Sequence, residues 1–169
     1  LDAPRGASRW LASAALGRAL RFDNPYRLAT PLGETPASVS ATAPYVDLAV
    51  GWSRGGPSRI QHGAVLAWSV AVAGVRQSAL APGYLAVLRP VARWHLRWRL
   101  GPSAVLEPDP TVGWEAAVGG AWYARAGMGL TVELSGSVFY GAATREHERT
   151  TIPLAGLSFG WIVDYEVWR

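Results

Sequence analysis

Arg93-Trp94-His95-Leu96-Arg97-Trp98-Arg99-Leu100 alternates basic and large apolar residues without a break. Basic side chains at a two-residue spacing suit one kind of chemistry, ion pairing with carboxylates on neighbouring segments. Asp47, Glu115, Glu133 and Asp164 supply such carboxylates, each within a segment that also alternates. Catalytic chemistry is poorly provided for. His62, His95 and His147 are far apart in the chain, and no HExxH or P-loop pattern and no His-X-Ser pair is present. A hydrolase built on Ser135 or Ser137 would depend on a distant histidine. Arg145-Glu146-His147-Glu148-Arg149 offers one imidazole beside carboxylates, yet its charge density reads as a solvated loop. The expectation is a chain that is not an enzyme, with no metal site and no cofactor.

The elements that must position these charges follow from composition. The 169 residues are most simply one domain over 1–169. Only 17% are charged and 50% are apolar, against about 25% charged in a typical soluble domain. Nine tryptophans and six tyrosines against three phenylalanines favour rings with a polar handle, as at a membrane interface. Nineteen glycines and twelve prolines argue against a helical bundle. The net charge of +4 is spread along the chain, which argues against nucleic acid as a partner. Without cysteine there is neither a disulfide framework nor a thiolate metal site. No run approaches the roughly 18 apolar residues of a membrane-spanning helix. A start at Leu1 rather than Met fits either a chain from which an export signal has been removed or a sequence given without its first residues.

Two-residue periodicity recurs over 45–52, 61–76, 84–89, 93–100, 114–124, 130–140 and 157–167. In these segments one face gathers Trp52, Trp68, Trp94, Trp98, Trp114, Trp122 and Trp161 with Val and Leu; the other is small, polar or charged. The chain is too short to bury so many bulky stripes in a water-soluble core. The expected arrangement is therefore inverted, with these tryptophans towards lipid and Asp47, Arg97, Arg99, Glu115, Glu133 and Asp164 in a barrel lumen, His95 and Tyr123 nearby. An antiparallel barrel needs an even strand count. The eighth strand falls at 10–20, although its alanine and leucine content also suits a helix. Turns near Arg54, Pro90 and Arg125 are short, whereas 21–43, 77–83, 103–112 and 142–151 read as longer loops. That alternation predicts loops at one membrane face and turns, with both termini, at the other, periplasmic face.

Gly-Trp-Glu-Ala-Ala-Val-Gly-Gly-Ala-Trp-Tyr over 113–123, a tight turn, Gly-Leu-Thr-Val-Glu-Leu-Ser-Gly-Ser-Val-Phe-Tyr-Gly over 129–141 and an aromatic closing strand carry a resemblance. Over about 45–169 the chain resembles the small eight-stranded outer-membrane barrels of Gram-negative bacteria, the OmpA/OmpX-like class. The resemblance implies an all-β, antiparallel, up-and-down transmembrane β-barrel in the bacterial outer membrane. It departs from that pattern at its end, where Trp168 is penultimate and Arg169 follows.

The function expected is a non-enzymatic barrel with a charge-plugged lumen, serving a structural role or an interaction made by the loops at 21–43 and 142–151. Its partners are then outer-membrane lipid and, as candidates, other envelope proteins. Two alternatives stand beside it. One is an accessory subunit of a larger outer-membrane complex. The other is a soluble lipocalin-like ligand-binding barrel, which reverses the polarity, with Trp and Leu inward and arginines outside.

Overall fold

The computed structural model describes residues 7–22, 39–56, 60–74, 76–91, 93–107, 110–125, 127–141 and 151–168. Alternating side chains set the elements, and these are strands throughout: β1 (Ala7–Arg21), β2 (Ser40–Ala41), β3 (Tyr45–Gly55), β4 (Gln61–Ala71), β5 (Ser78–Val91), β6 (Trp94–Glu107), β7 (Thr111–Arg125), β8 (Met128–Tyr140) and β9 (Thr151–Trp168). From β3 to β9 each strand pairs antiparallel with the next, and β1 pairs with both β3 and β9. Eight strands thus close a barrel and leave no open edge. The two-residue β2 only extends the end of β1, through Leu20 opposite Ala41 and Arg21 opposite Ser40.

Closure rests on β1, the segment whose composition also suits a helix. Its ladder with β3 runs from Ala7–Gly55 to Gly17–Tyr45, and that with β9 reaches from Ser8–Trp168 to Arg21–Leu154. Two ladders override the helix preference of its alanines. Leu11, Ala15 and Ala19 point inward and are buried, while Trp10, Leu16 and Leu20 are exposed outside.

Two loop expectations are corrected. Residues 78–83 belong to β5 and 103–107 to β6. The strand expected over 61–76 stops at Ala71, which moves one connection to 72–77. The next shortens to 108–110, fewer residues than 56–60 at the opposite end, so the expected alternation of long and short connections does not hold throughout. Pro82 with Gly83 in 77–83, and Pro108 with Pro110 in 103–112, suggest loops because proline removes a ladder donor. Here Pro82, Pro90 and Pro102 collect at breaks in one ladder. Pairing between β5 and β6 lapses from Leu80–Ala104 to Tyr84–Leu100, which places Pro82 and Pro102 in the same gap. Pro90 falls in the irregularity between Leu88 and Val91. Beyond β1, the loop expected over 21–43 lies mostly outside the described residues, as does nearly all of 142–151 with the 145–149 charge run.

Glycine allows the gap at Pro82 and Pro102 to close tightly. A Cβ on Gly101 would collide with the Pro82 carbonyl oxygen and meet the Gly83 Cα at 2.6 Å. Both are backbone atoms and cannot swing aside. Gly101→Ala is therefore expected to destabilise the barrel by about 1–3 kcal/mol. Gly120→Ala, where a Cβ meets nothing within 4 Å, should be close to neutral. Urea unfolding in vesicles compares the two; equal stability of both variants rejects the close approach.

Candidate functional site

The barrel is inverted. Apart from Ala86, its buried side chains line the lumen, and the outer wall carries Trp52, Trp68, Trp94, Trp98, Trp114, Trp122 and Trp161, from 37% to 67% exposed. Register gathers the outer aromatics near the two rims. Trp10 stands opposite both Trp52 and Tyr165, and Trp94 opposite Trp122, at the end where the connections are 56–60, 92–93 and 126–127. Trp68, Trp114 and Tyr140 lie towards the other end, that of 22–44, 72–77, 108–110 and 141–150. Trp98 and Trp161 sit further in from the short-turn rim. A soluble lipocalin-like barrel would have the opposite polarity.

The lumen divides lengthwise. Leu11, Ala49, Val65, Ala67, Leu85 and Val87, from β1, β3, β4 and β5, form an apolar cluster on one side. Facing it are charges carried mainly by β6, β7, β8 and β9. Cross-strand alternation places them inward; register then decides which of them meet.

Register and reach assemble two clusters. In the first, Arg99 on β6 is the hub. Its Nη2 donates to Glu133 Oε1 on β8 at 2.8 Å and to Asp47 Oδ2 on β3 at 3.3 Å, and its Nη1 pairs with Glu115 on β7. The Arg99 Nε also donates to Glu133 Oε1, at 3.0 Å. Arg97 Nη2 pairs with the other Glu133 oxygen at 3.1 Å, and Ser69 donates its hydroxyl to Asp47 at 2.9 Å. Asp47 reaches Arg99 across the lumen, so this cluster spans the barrel rather than following one wall. Above it, towards the long connections, a recess of about 90 Å³ opens beside Tyr45, Ser135 and Phe139.

The second cluster lies nearer the short turns and is built round Asp164 on β9, buried to 5%. Arg89 Nη2 pairs with Asp164 Oδ2 at 2.8 Å, His95 Nδ1 approaches the same oxygen at 3.3 Å, and Arg9 Nη1 lies 3.6 Å from Oδ1. Arg89 also donates to Gln61. The His95 ring packs on Tyr123 with centroids 4.4 Å apart. The six charges singled out in the sequence are thus brought together only in part. Five meet around Arg99, whereas Asp164 finds other partners.

Arg9, Arg89 and Gln61 are the members that sequence reasoning missed. Tyr84-Leu85-Ala86-Val87-Leu88 is apolar on both faces, which hides the phase that turns Arg89 inward. Arg9 precedes the segment read as a strand, and Gln61 opens its own. The usable signal for Arg9 and Arg89 was parity: each is an even number of residues from an inward position, Leu11 and Leu85.

Among the described residues, one serine motif can be compared with the geometry a hydrolase needs. Gly156-Leu157-Ser158-Phe159-Gly160 matches the G-x-S-x-G spacing. A nucleophile elbow needs a sharp strand-to-helix turn. Ser158 instead sits within β9, opposite Glu133 and Gly17, and is buried in the lumen wall. His62 is outside the barrel, hydrogen-bonded to Tyr84, and His95 belongs to the Asp164 cluster. His147 lies outside the described residues.

Solved structures share this architecture. The Neisserial surface protein A (NspA) is 12% identical over 94% of this chain and 97% of its own, with a TM-score of 0.54. The attachment invasion locus protein Ail of Yersinia pestis is 9% identical over 92% and 98%, at 0.51. The outer membrane protein OprG from Pseudomonas aeruginosa is 10% identical over 96% and 98%, also at 0.51. The chain has the fold of the small eight-stranded outer-membrane barrels. No protein-family model and no curated protein matches it in sequence. At these identities the outer-membrane barrels share its fold and not a known task. Like them it is closed, antiparallel and up-and-down.

Proposed function

We propose that the chain is a non-enzymatic barrel of the bacterial outer membrane whose lumen is plugged by charge. Its work is then structural, or lies in contacts made at the long-connection end with other envelope proteins. The observation that carries this reading is Arg99, paired with Asp47, Glu115 and Glu133 from three other strands. An eight-stranded interior is just wide enough for side chains to fill, and bridges from β6 to β3 and β8 occupy its width. The apolar wall of Leu11, Val65, Leu85 and Val87 fills the side the charges leave. On this reading the seven outer tryptophans named above face lipid.

A planar bilayer tests the plug. The purified chain is expected to give no steady ion current. Large, stable channels from the monomer would overturn the closed lumen. Incorporation into vesicles without any current supports it.

A further inference from the structure

On the outer wall at the short-turn rim, register sets three polar side chains in one row. Ser8 on β1 stands opposite Arg54 on β3, and Arg54 stands opposite His62 on β4. Directly opposed residues hold their Cβ atoms about 4.5–5.5 Å apart, so hydroxyl, guanidinium and imidazole are neighbours. Each lies two residues rimward of an outward position, Trp10, Trp52 and Ala64, and so shares that face. Arg54 is exposed and has no hydrogen bond or ion pair with any described residue. The row holds no carboxylate. His62 is held in place by the hydrogen bond between its Nδ1 and the Tyr84 hydroxyl. The next row inward is Trp10, Trp52, Ala64 and Tyr84. Ala64, exposed between the Trp52 and Tyr84 rings, leaves an open notch directly above His62.

Tryptophan and tyrosine rings settle at the headgroup level of a bilayer. A polar row one step rimward of Trp10 and Trp52 therefore stands where lipid phosphates lie. This rim is the one expected to face the periplasm, and the periplasmic leaflet of an outer membrane is its phospholipid leaflet. We propose that the row seats the phosphate of a glycerophospholipid from that leaflet. The Arg54 guanidinium forks onto the phosphate oxygens, the bidentate geometry to which it is suited. The Ser8 hydroxyl donates on one side of it. On the other, the Tyr84 hydroxyl donates to His62 Nδ1, which leaves Nε2–H as the donor to phosphate. The glycerol backbone enters the Ala64 notch, and an acyl chain continues along Leu66, the next outward residue of β4. With no carboxylate in the row to receive an ammonium, the site favours phosphatidylglycerol over phosphatidylethanolamine. The proposal rests on the reading that the outer wall faces lipid.

Native mass spectrometry of the folded barrel tests it, with phosphatidylglycerol, phosphatidylethanolamine and diacylglycerol of the same chains offered in equal amounts. Phosphatidylglycerol should be retained most and diacylglycerol, which lacks phosphate, least. Arg54→Gln should lower phosphatidylglycerol retention about three- to fivefold, the contribution of one interfacial arginine. Arg93→Gln, the same change at an exposed turn arginine elsewhere on this rim, should leave it unchanged. Ala64→Leu fills the notch with every charge in place and should lower retention of both phospholipids. Equal losses from Arg54→Gln and Arg93→Gln overturn the site in favour of diffuse surface charge. Diacylglycerol held as well as phosphatidylglycerol, phosphatidylethanolamine held better than phosphatidylglycerol, or full retention by Ala64→Leu overturns it too. Should Arg54→Gln fail to fold, Ala64→Leu and the three-lipid ranking of the unaltered chain decide. Vesicle insertion without this selectivity rejects the site alone, whereas failure to insert rejects the membrane reading beneath it.

Discussion

Arg99→Leu is expected to destabilise the barrel by about 3–5 kcal/mol, the cost of breaking a buried ion pair by removing one partner. Arg99 is the shared partner of Asp47, Glu115 and Glu133. Without it the three carboxylates do not fare alike. Glu133 keeps Arg97 at 3.1 Å, and Asp47 keeps the Ser69 hydroxyl at 2.9 Å. Glu115 keeps no charged partner among the described residues. The penalty should therefore concentrate on Glu115, and Arg99→Leu combined with Glu115→Leu should recover a substantial part of the loss, because no charge is then left stranded.

Arg97→Leu should cost less, on the order of 1.5–3 kcal/mol for one charge-assisted hydrogen bond, since Glu133 retains Arg99 at 2.8 Å. Urea unfolding in vesicles, run as a double-mutant cycle, measures both the ranking and the coupling. If Arg99→Leu proves no worse than Arg97→Leu, or if Glu115→Leu adds to it without recovery, Arg99 is not the hub.

Local alternation makes the faces of most strands legible. Trp94, Leu96, Trp98 and Leu100 against His95, Arg97 and Arg99 define β6 from eight consecutive residues, because polarity changes at every step. Nothing as local fixes β5. Leu85 and Val87 face inward while Leu88 lies on the opposite face, and both faces are apolar because the lumen itself is apolar along β1, β3, β4 and β5. Inward faces are expected to be small, polar or charged, and the bulky apolar inward face of β5 conceals Arg89. The prolines mislead for a related reason. Pro82 and Pro102 are tolerated only because each lies opposite the other across one ladder gap, a pairing no single segment discloses.

Which charges meet is legible still less. Cross-strand adjacency offers Glu115 and Glu133 as partners for the β6 arginines, since β7 and β8 follow β6 in the sheet. Asp47, three strands away, reaches Arg99 only because the sheet closes and the lumen is narrow. Asp164 is drawn to Arg89 and Arg9 by the stagger of β9 against β1, where Leu11 stands opposite it. Closure and stagger belong to the whole sheet, so these pairs lie beyond a reading made strand by strand.

Leu134→Arg is expected to cost about 2–4 kcal/mol in a bilayer, the penalty for arginine on the lipid face near the midplane. Leu134 lies in the middle of β8, 56% exposed, with Val118 and Leu157 beside it on the outer wall. A guanidinium there reaches water only by snorkelling or by thinning the bilayer. Val112→Arg provides the contrast. Val112 is 62% exposed but lies next to the start of β7, at the long-connection rim, where the same change should cost about 0–1 kcal/mol. Exposure alone would rank Val112 as no less accessible than Leu134, so the difference measures depth in lipid rather than burial in protein. In water the sign changes: removing a large exposed hydrophobic side chain would be neutral or would help solubility at both positions. Unfolding both variants from vesicles of one lipid therefore separates the two barrel polarities. Equal, small effects at Leu134 and Val112 would place the outer wall in water, and the expected gap of a few kcal/mol would place Leu134 in hydrocarbon.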